Sequence, residues 1–257
     1  MSESTEGSPT RQNWCEGLVA NGFYLFPGLV SQGRVAAALQ AIEEDISRNF
    51  DPARQLEYDH RSYCPMLRES PVILDLLHNE PVTAQIDSAI EFGKLTAGPA
   101  QIAIRRARNA AAPTAPVPHI DGIATLHNGL TAQTLQTFTL LVGVFLTATS
   151  TEFAGNFTVW PGSHLAMEQY FLATGPSALS RGQPDIAHGA PHQILAAPGD
   201  VILSHYSLAH AAAANTSAND RIAVYFRLTL NDQAQQRWRR LTHIWDGWRI
   251  GPDVASR

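Results

Sequence analysis

Two hydrophobic periods divide the chain. Up to about Gly93 most apolar positions follow a helical repeat; beyond it they come in short, dense runs bounded by turn residues. Gly22 to Pro27 alternates aromatic and aliphatic side chains and predicts a short strand ending at Pro27-Gly28. Gln32 to Arg48 then places Val35, Leu39, Ile42 and Ile46 on one face, the spacing of an amphipathic helix. Ser70-Pro71 opens another helix, with serine as cap and proline at the first position, and a third is expected over Pro81 to Glu91. The second half changes character. Gln101 to Ala107, Leu135 to Leu146, Phe157 to Trp160, His192 to Leu195, Val201 to His205 and Ile222 to Leu230 are rich in β-branched and apolar residues and predict strands. Pro161-Gly162, Pro198-Gly199-Asp200 and Asn215 to Asp220 supply the turns between them.

Antiparallel strands following a helical segment predict a mainly β fold with N-terminal helices, a two-sheet sandwich or jelly roll with the helices on one outer face. No repeat or linker interrupts the pattern, so one domain is expected over 1–257. Residues 1–93 form its mostly helical part, 94–230 the sheet core and 231–257 a C-terminal extension. In that extension Trp238, Trp245 and Trp248 are expected to cap the barrel. Glu168 to Pro191 shows no strong periodicity, and a loop of that length is usually an active-site lid or a disordered insertion.

Composition narrows the function classes. With 44% hydrophobic and 16% charged residues the chain matches an ordinary soluble globular protein. A formal net charge of -5 gives no basic footprint for nucleic acid. The small basic clusters Arg105, Arg106 and Arg108, and Arg237, Arg239 and Arg240, read first as solvated faces. Met1 to Gln12 lacks the charged start and apolar stretch of a secretory signal, and the longest apolar run, Leu140 to Leu146, is too short to span a bilayer. The cytoplasm is therefore the expected location, with no membrane partner. Cys15 and Cys64 cannot build a disulfide framework or a cysteine-rich metal site. Oligomeric state is not written in the sequence.

The chemistry concentrates in Pro118-His119-Ile120-Asp121-Gly122. On an extended chain residues i and i+2 share a face, so His119 and Asp121 present an imidazole nitrogen and a carboxylate oxygen side by side. A third ligand from a separate strand would complete the two-histidine, one-carboxylate facial triad that leaves iron positions open. A lone His-x-Asp is a weak signal; ordered companion motifs strengthen it.

Those motifs are present. After His119-Ile120-Asp121 come Gly155 through Trp160 with Pro161-Gly162-Ser163-His164, then Gly199-Asp200, then His210 with Asn215-Thr216-Ser217 and Arg221. With the opening Asn21-Gly22-Phe23-Tyr24-Leu25-Phe26-Pro27-Gly28, their order resembles the phytanoyl-CoA dioxygenase family of iron(II)- and 2-oxoglutarate-dependent oxygenases, over residues from about 20 to 230.

The resemblance implies a double-stranded β-helix, a cupin-like jelly roll. It implies His119, Asp121 and His210 as catalytic iron ligands, with His205 as the rival to His210. Arg221 is implied as the clamp on the distal carboxylate of 2-oxoglutarate, a role suited to a planar guanidinium that stays charged when desolvated. Gln101 stands where the family often has another polar cosubstrate contact. Two departures concern the cosubstrate pocket. Ala212 replaces a hydroxyl-bearing residue common two positions after the distal histidine, and the Leu141 to Leu146 strand is aliphatic where some relatives carry an aromatic. Thr137 or Thr139 could stand in.

The implied activity is that of a dioxygenase using iron(II), 2-oxoglutarate and O2. It would oxidise an unactivated C–H bond of a small metabolite, with a natural-product intermediate as the expected class, and release succinate and CO2. Related halogenases lack the carboxylate ligand, so Asp121 argues for hydroxylation, or for desaturation, epoxidation or ring formation. Two other classes stand beside this one. A non-oxidative cupin-type isomerase or lyase holding zinc or manganese would not need Arg221, and a non-catalytic binding module would not need the complete triad. His164 reads as a solvated turn histidine; His127, His188 and His192 as plain polar residues near the site mouth; Tyr58, His60 and Arg61 as a solvated loop.

Overall fold

The computed structural model describes residues 11–108, 112–123 and 136–252. The N-terminal part holds helices α1 (Arg11–Asn21), α2 (Gln32–Asn49), α3 (Gln55–His60), α4 (Pro71–Leu74) and α5 (Glu80–Ala89), with strand β1 (Phe23–Phe26) between the first two. Strands β2 (Leu95–Ala97), β3 (Gln101–Arg105), β4 (Leu140–Phe145) and β5 (Phe157–Val159) follow. Helix α6 (Ser163–Thr174) then precedes β6 (His192–Gln193), β7 (Val201–His205), β8 (His210–Ala212) and β9 (Arg221–Leu230), and α7 (Gln233–Thr242) comes last.

All the strand pairs are antiparallel. A large sheet runs β1-β7-β4-β9-β2, with β3 on the same edge of β9, and a small sheet runs β6-β5-β8. Strand β4 is buried at every position because it lies between β7 and β9 with both faces covered, which is why its sequence is a continuous apolar run rather than an alternation. Its side chains divide by pleat. Val142 and Val144 join the helices in one core, while Leu141 and Phe145 face the small sheet in the other, beside Phe157, Val159 and Ile194. Strand β9 divides the same way. Val224, Phe226 and Leu228 face the helices, and Arg221, Ala223, Tyr225 and Arg227 face between the sheets. That inward row of polar side chains marks where chemistry can occur.

Several expectations are corrected. A helix over Arg11–Asn21 has only a weak pattern in the sequence, and its fully buried anchors are Trp14 and Leu18, a contribution of about 1.5–3 kcal/mol apiece. The segment expected to be a loop begins inside α6, and a 3-10 turn over Gly175–Ser180 extends it. Its periodicity was hidden because Leu165 and Leu172 lie on the exposed side while Met167 and Phe171 are buried. Pro161-Gly162 ends β5 and opens that helix, and His164 is fully buried with its Nε2 3.0 Å from the Val19 carbonyl, so it is not a solvated turn residue. Tyr58 is likewise buried, its ring against Phe50 and Tyr63. Leu135, the expected start of β4, and His127 lie outside the described residues. Among those described, no helix is long and apolar enough to cross a membrane.

Candidate metal and cosubstrate site

His119 reaches its position through a single antiparallel bridge to His210: each backbone N–H donates to the other's carbonyl, at 3.1 and 2.9 Å. Ile120 points away into the core between the sheets, so His119 and Asp121 share the opposite face. Both backbone groups of Ile120 are held by one side chain. The Gln183 amide accepts from its N–H and donates to its carbonyl, each at 2.9 Å. Gly122 has φ of 78°, and a Cβ there would run into the Gln136 carbonyl. Only glycine fits that turn.

The three ligand atoms offered by His119, Asp121 and His210 all lie within 4.8 Å of one another. Each histidine Nε2 is 3.7 Å from Asp121 Oδ1. His210 Nδ1 lies 3.0 Å from the Leu208 carbonyl, which can only accept, so Nδ1 carries the proton and Nε2 presents its lone pair. Burial, then the neighbouring His210, push the His119 pKa below its ordinary value. That shift favours the neutral imidazole, the form that binds metal, and 42% of the side chain is open. Asp121 is held well below the usual carboxylate range: burial opposes this, but the charge of Arg227 outweighs it. Its Oδ2 accepts from Arg227 Nε at 2.9 Å and Nη2 at 2.6 Å, leaving Oδ1 towards the histidines. Two neutral imidazoles and one ionised carboxylate, converging and open on the His119 side, form a donor set that fits iron(II).

Arg221 opens β9 and is only 2% exposed. Its Nε donates to the Gly155 carbonyl at 2.6 Å and Nη1 to the Ala103 carbonyl at 3.3 Å, but no carboxylate meets it among the described residues. Burial pulls its pKa down from the ordinary value. A desolvated guanidinium without a counter-charge is costly unless a ligand supplies one. Four residues on, the Tyr225 hydroxyl is buried without a hydrogen-bond partner. Its ring packs on Phe157, whose other neighbour is the His210 ring. An orphaned donor and an unpaired guanidinium on one strand face, next to the triad, fit a dicarboxylate that spans from metal to Arg221.

The structure brings His119, Asp121, His210 and Gln101 together; the Gln101 Oε1 accepts from Arg227 Nη2 at 2.9 Å. Thr139 is a different case. Its hydroxyl donates to Gln233 Oε1 at 3.3 Å and accepts from Leu230 N–H at 3.1 Å, so it is committed to α7 rather than to the triad. Thr137 is taken by Gln233 as well. His205 is a core residue: Nε2 meets the Ile244 carbonyl and Nδ1 accepts from Ser207 N–H, which leaves no lone pair for a metal. The other motif residues brace the frame. Asp200 accepts from Gly28 and Ala197 N–H, and Asn215 Nδ2 donates to the Arg105 and Asn219 carbonyls.

Sequence reasoning missed Gln183, Arg227 and Tyr225. Gln183 had no pattern to mark it. Arg227 and Tyr225 could have been found, because both fall on the i+2 register of Arg221 in an otherwise apolar strand.

Residues 18–223 match the family model described as phytanoyl-CoA dioxygenase. No curated protein sequence matches the chain. Among solved structures, the epimerase SnoN from nogalamycin biosynthesis, in complex with Fe3+, alpha ketoglutarate and nogalamycin RO, aligns with a TM-score of 0.57 at 16% identity. That alignment covers 85% of this chain and 83% of SnoN. HygX from Streptomyces hygroscopicus, with nickel and 2-oxoglutarate bound, aligns at 0.56 and 16% identity over 87% and 88%. The carbocyclase SnoK from nogalamycin biosynthesis aligns at 0.54 and 19% over 90% and 93%. At those identities the structures speak for a shared fold, antiparallel sheets flanked by helices. The family match covers most of the chain, and the chain belongs to the phytanoyl-CoA dioxygenase family of 2-oxoglutarate-dependent non-haem iron enzymes.

Proposed function

We propose that this member of the phytanoyl-CoA dioxygenase family hydroxylates an unactivated C–H bond of a small metabolite. Iron(II) would be held by His119, Asp121 and His210, and 2-oxoglutarate anchored by Arg221. The observation that carries the reading is the pairing of a compact triad with a buried guanidinium that lacks a counter-charge. A non-oxidative metalloenzyme would need the first and not the second.

Bound iron(II) with 2-oxoglutarate and O2 supplies the oxidising power, with succinate and CO2 as by-products. The chain's own residues bind and orient. Arg221 fixes the far carboxylate by its planar fork. Tyr225 offers a donor between that fork and the metal ligands. Phe157, stacked on His210 at 5.5 Å, keeps water off the inner side. Arg227 and Gln183 hold Asp121 and Ile120 so that the ligands need not reorganise. The open surface of His119 faces the incoming substrate. Because Asp121 is retained, no ligand position is freed for a halide, and hydroxylation is the default outcome.

The structural neighbours SnoN, an epimerase, and SnoK, a carbocyclase, both from nogalamycin biosynthesis, support a natural-product substrate. The two facing sheets read as the halves of a double-stranded β-helix, and the whole chain as one domain. The net charge of -5 gives no basic footprint and supports a small-molecule partner rather than nucleic acid.

The test is anaerobic iron(II) titration with 2-oxoglutarate, watching for the weak visible metal-to-ligand charge-transfer band. The parent shows the band, His119→Ala abolishes it, and Arg221→Ala requires at least about ten-fold more 2-oxoglutarate, the loss expected for a charge-assisted bidentate pair. No band in folded, metal-loaded parent would sink the oxygenase reading.

A further inference from the structure

Arg105, Arg106 and Arg108 are expected from sequence to lie on a solvated face. Arg106 fits that, paired with Asp220 at 2.6 Å; Arg105 is placed otherwise. On β3 the fully buried positions are Ile102 and Ile104, which turn to the helical core. Gln101, Ala103 and Arg105, which face between the sheets, are only half-buried. Ala212, on the His210 face of β8, is half-buried as well, and so are Asp121 and Arg227. Side chains that face inward yet keep part of their surface open line a cleft. This cleft runs from the triad at Asp121, past Gln101 and Ala103, to Arg105.

Arg105 ends β3 directly opposite Arg221 in the ladder with β9. Their stems converge over Gly155, where a Cβ would lie 2.8 Å from Arg105 Cβ and 3.2 Å from Arg221 Cβ. Like charges opposed across a ladder repel, and the described residues offer the Arg105 guanidinium no hydrogen bond and no ion pair. The nearby acid, Asp220, is already shared by Arg106 and the Ala107 N–H. Four residues back along the strand, about 13 Å, Gln101 stands opposite Tyr225. Burial raises the pKa of the Tyr225 hydroxyl, and Arg221 and then Arg105 oppose that rise. Charge interactions weaken with separation, so an Arg105 charge felt at Tyr225 belongs to a side chain that leans back along the cleft.

Arg221 covers only part of a carboxylate. Its Nε is spent on the Gly155 carbonyl and one Nη1 hydrogen on the Ala103 carbonyl. A carboxylate offers about four lone-pair sites, more than the remaining fork can fill. We propose that Arg105 is the second arm of the cosubstrate clamp, so that the distal carboxylate of 2-oxoglutarate sits between two guanidiniums. This rests on the oxygenase reading and deepens it. The cosubstrate is then the anion that relieves the repulsion across the ladder, and a 2-oxo acid without a distal carboxylate gains nothing from Arg105.

The test compares 2-oxoglutarate with 2-oxopentanoate, which has the same carbon chain and no distal carboxylate. Both are titrated anaerobically into the iron(II)-loaded full chain, with the charge-transfer band and calorimetry as readouts. Arg105→Gln is expected to weaken 2-oxoglutarate about ten-fold, the lower end for a charge-assisted pair because the partner is half-exposed. The same variant leaves 2-oxopentanoate within about two-fold of the parent, and Arg105→Lys recovers part of the loss. Its urea midpoint without cosubstrate stays at or above that of the parent, since one of two opposed like charges is gone. An Arg105→Gln variant that binds 2-oxoglutarate within two-fold of the parent overturns the assignment. An equal loss for both acids, or a lower urea midpoint, also overturns it, because Arg105 would then support the fold rather than hold the carboxylate. A parent without the band sinks the oxygenase reading itself; a parent with the band, matched by Arg105→Gln, sinks the second arm alone.

Discussion

Tyr225→Phe separates a structural role from a binding role by moving two quantities in opposite directions. In the protein without cosubstrate, the Tyr225 hydroxyl is buried and unpartnered, and burial pushes its pKa above the ordinary value, so it stays protonated. Leaving a buried polar group unsatisfied costs about 1–3 kcal/mol. The phenyl ring fills the same space against Phe157 and beside Gly143, where a Cβ would come within 2.7 Å of Tyr225 Cε1. Removing the oxygen alone therefore stabilises the cosubstrate-free protein by about 1 kcal/mol. With 2-oxoglutarate bound, the hydroxyl donates to a carboxylate, a bond contributing about 1.5–3 kcal/mol, and its loss weakens cosubstrate binding by about ten- to hundred-fold. Urea unfolding of the metal-free protein reads the first quantity, and anaerobic charge-transfer titration reads the second. A variant that is less stable, or that binds 2-oxoglutarate as the parent does, would refute the reasoning, since either result means that the hydroxyl is satisfied within the protein.

Three further outcomes are expected. Gly122→Ala forces a side chain into a positive-φ turn and against the Gln136 carbonyl, a strain of at least about 1–2 kcal/mol; cobalt(II) affinity should drop while the far core, read by tryptophan fluorescence, stays folded. Gln183→Ala deletes both hydrogen bonds to Ile120, each worth about 0.5–1.5 kcal/mol, and calorimetry should show weaker metal binding with a more unfavourable entropy as the His-x-Asp segment loosens. The third concerns pH. Burial holds His164 at about 4 and His205 at about 3, below the unfolded value near 6.5, so the unfolded chain takes up protons first as pH falls. Their stability contribution is complete above pH 6.5 and declines below it, by about 2 kcal/mol per histidine at pH 5. Urea midpoints measured from pH 7 to 5 should fall accordingly, and a flat profile would contradict the burial of both rings.

The sequence by itself determined the elements whose pattern is local. Helix α2, strand β7 and strand β9 follow from periodicity or from β-branched runs, and their observed bounds differ from the expected ones by a residue or so. The His-x-Asp pair was legible because the two-residue period of an extended chain is a local property, and Arg221 was legible through its place after His210. Tertiary structure decided the rest. Nothing local tells that β4 has both faces covered, or that Leu165 and Leu172 are the exposed side of a helix. The commitments of Thr139 to α7 and of His205 to the Ile244 carbonyl depend on residues 94 and 39 positions away. Gln183 meets Ile120 across 63 positions, and Arg227 meets Asp121 across 106. Arg105 and Arg106 are neighbours in sequence and of one residue type, yet the pleat sends the first inward opposite Arg221 and leaves the second to pair with Asp220. Which side of a strand faces the site is fixed by what packs on the other side, and that is a property of the assembled sheets.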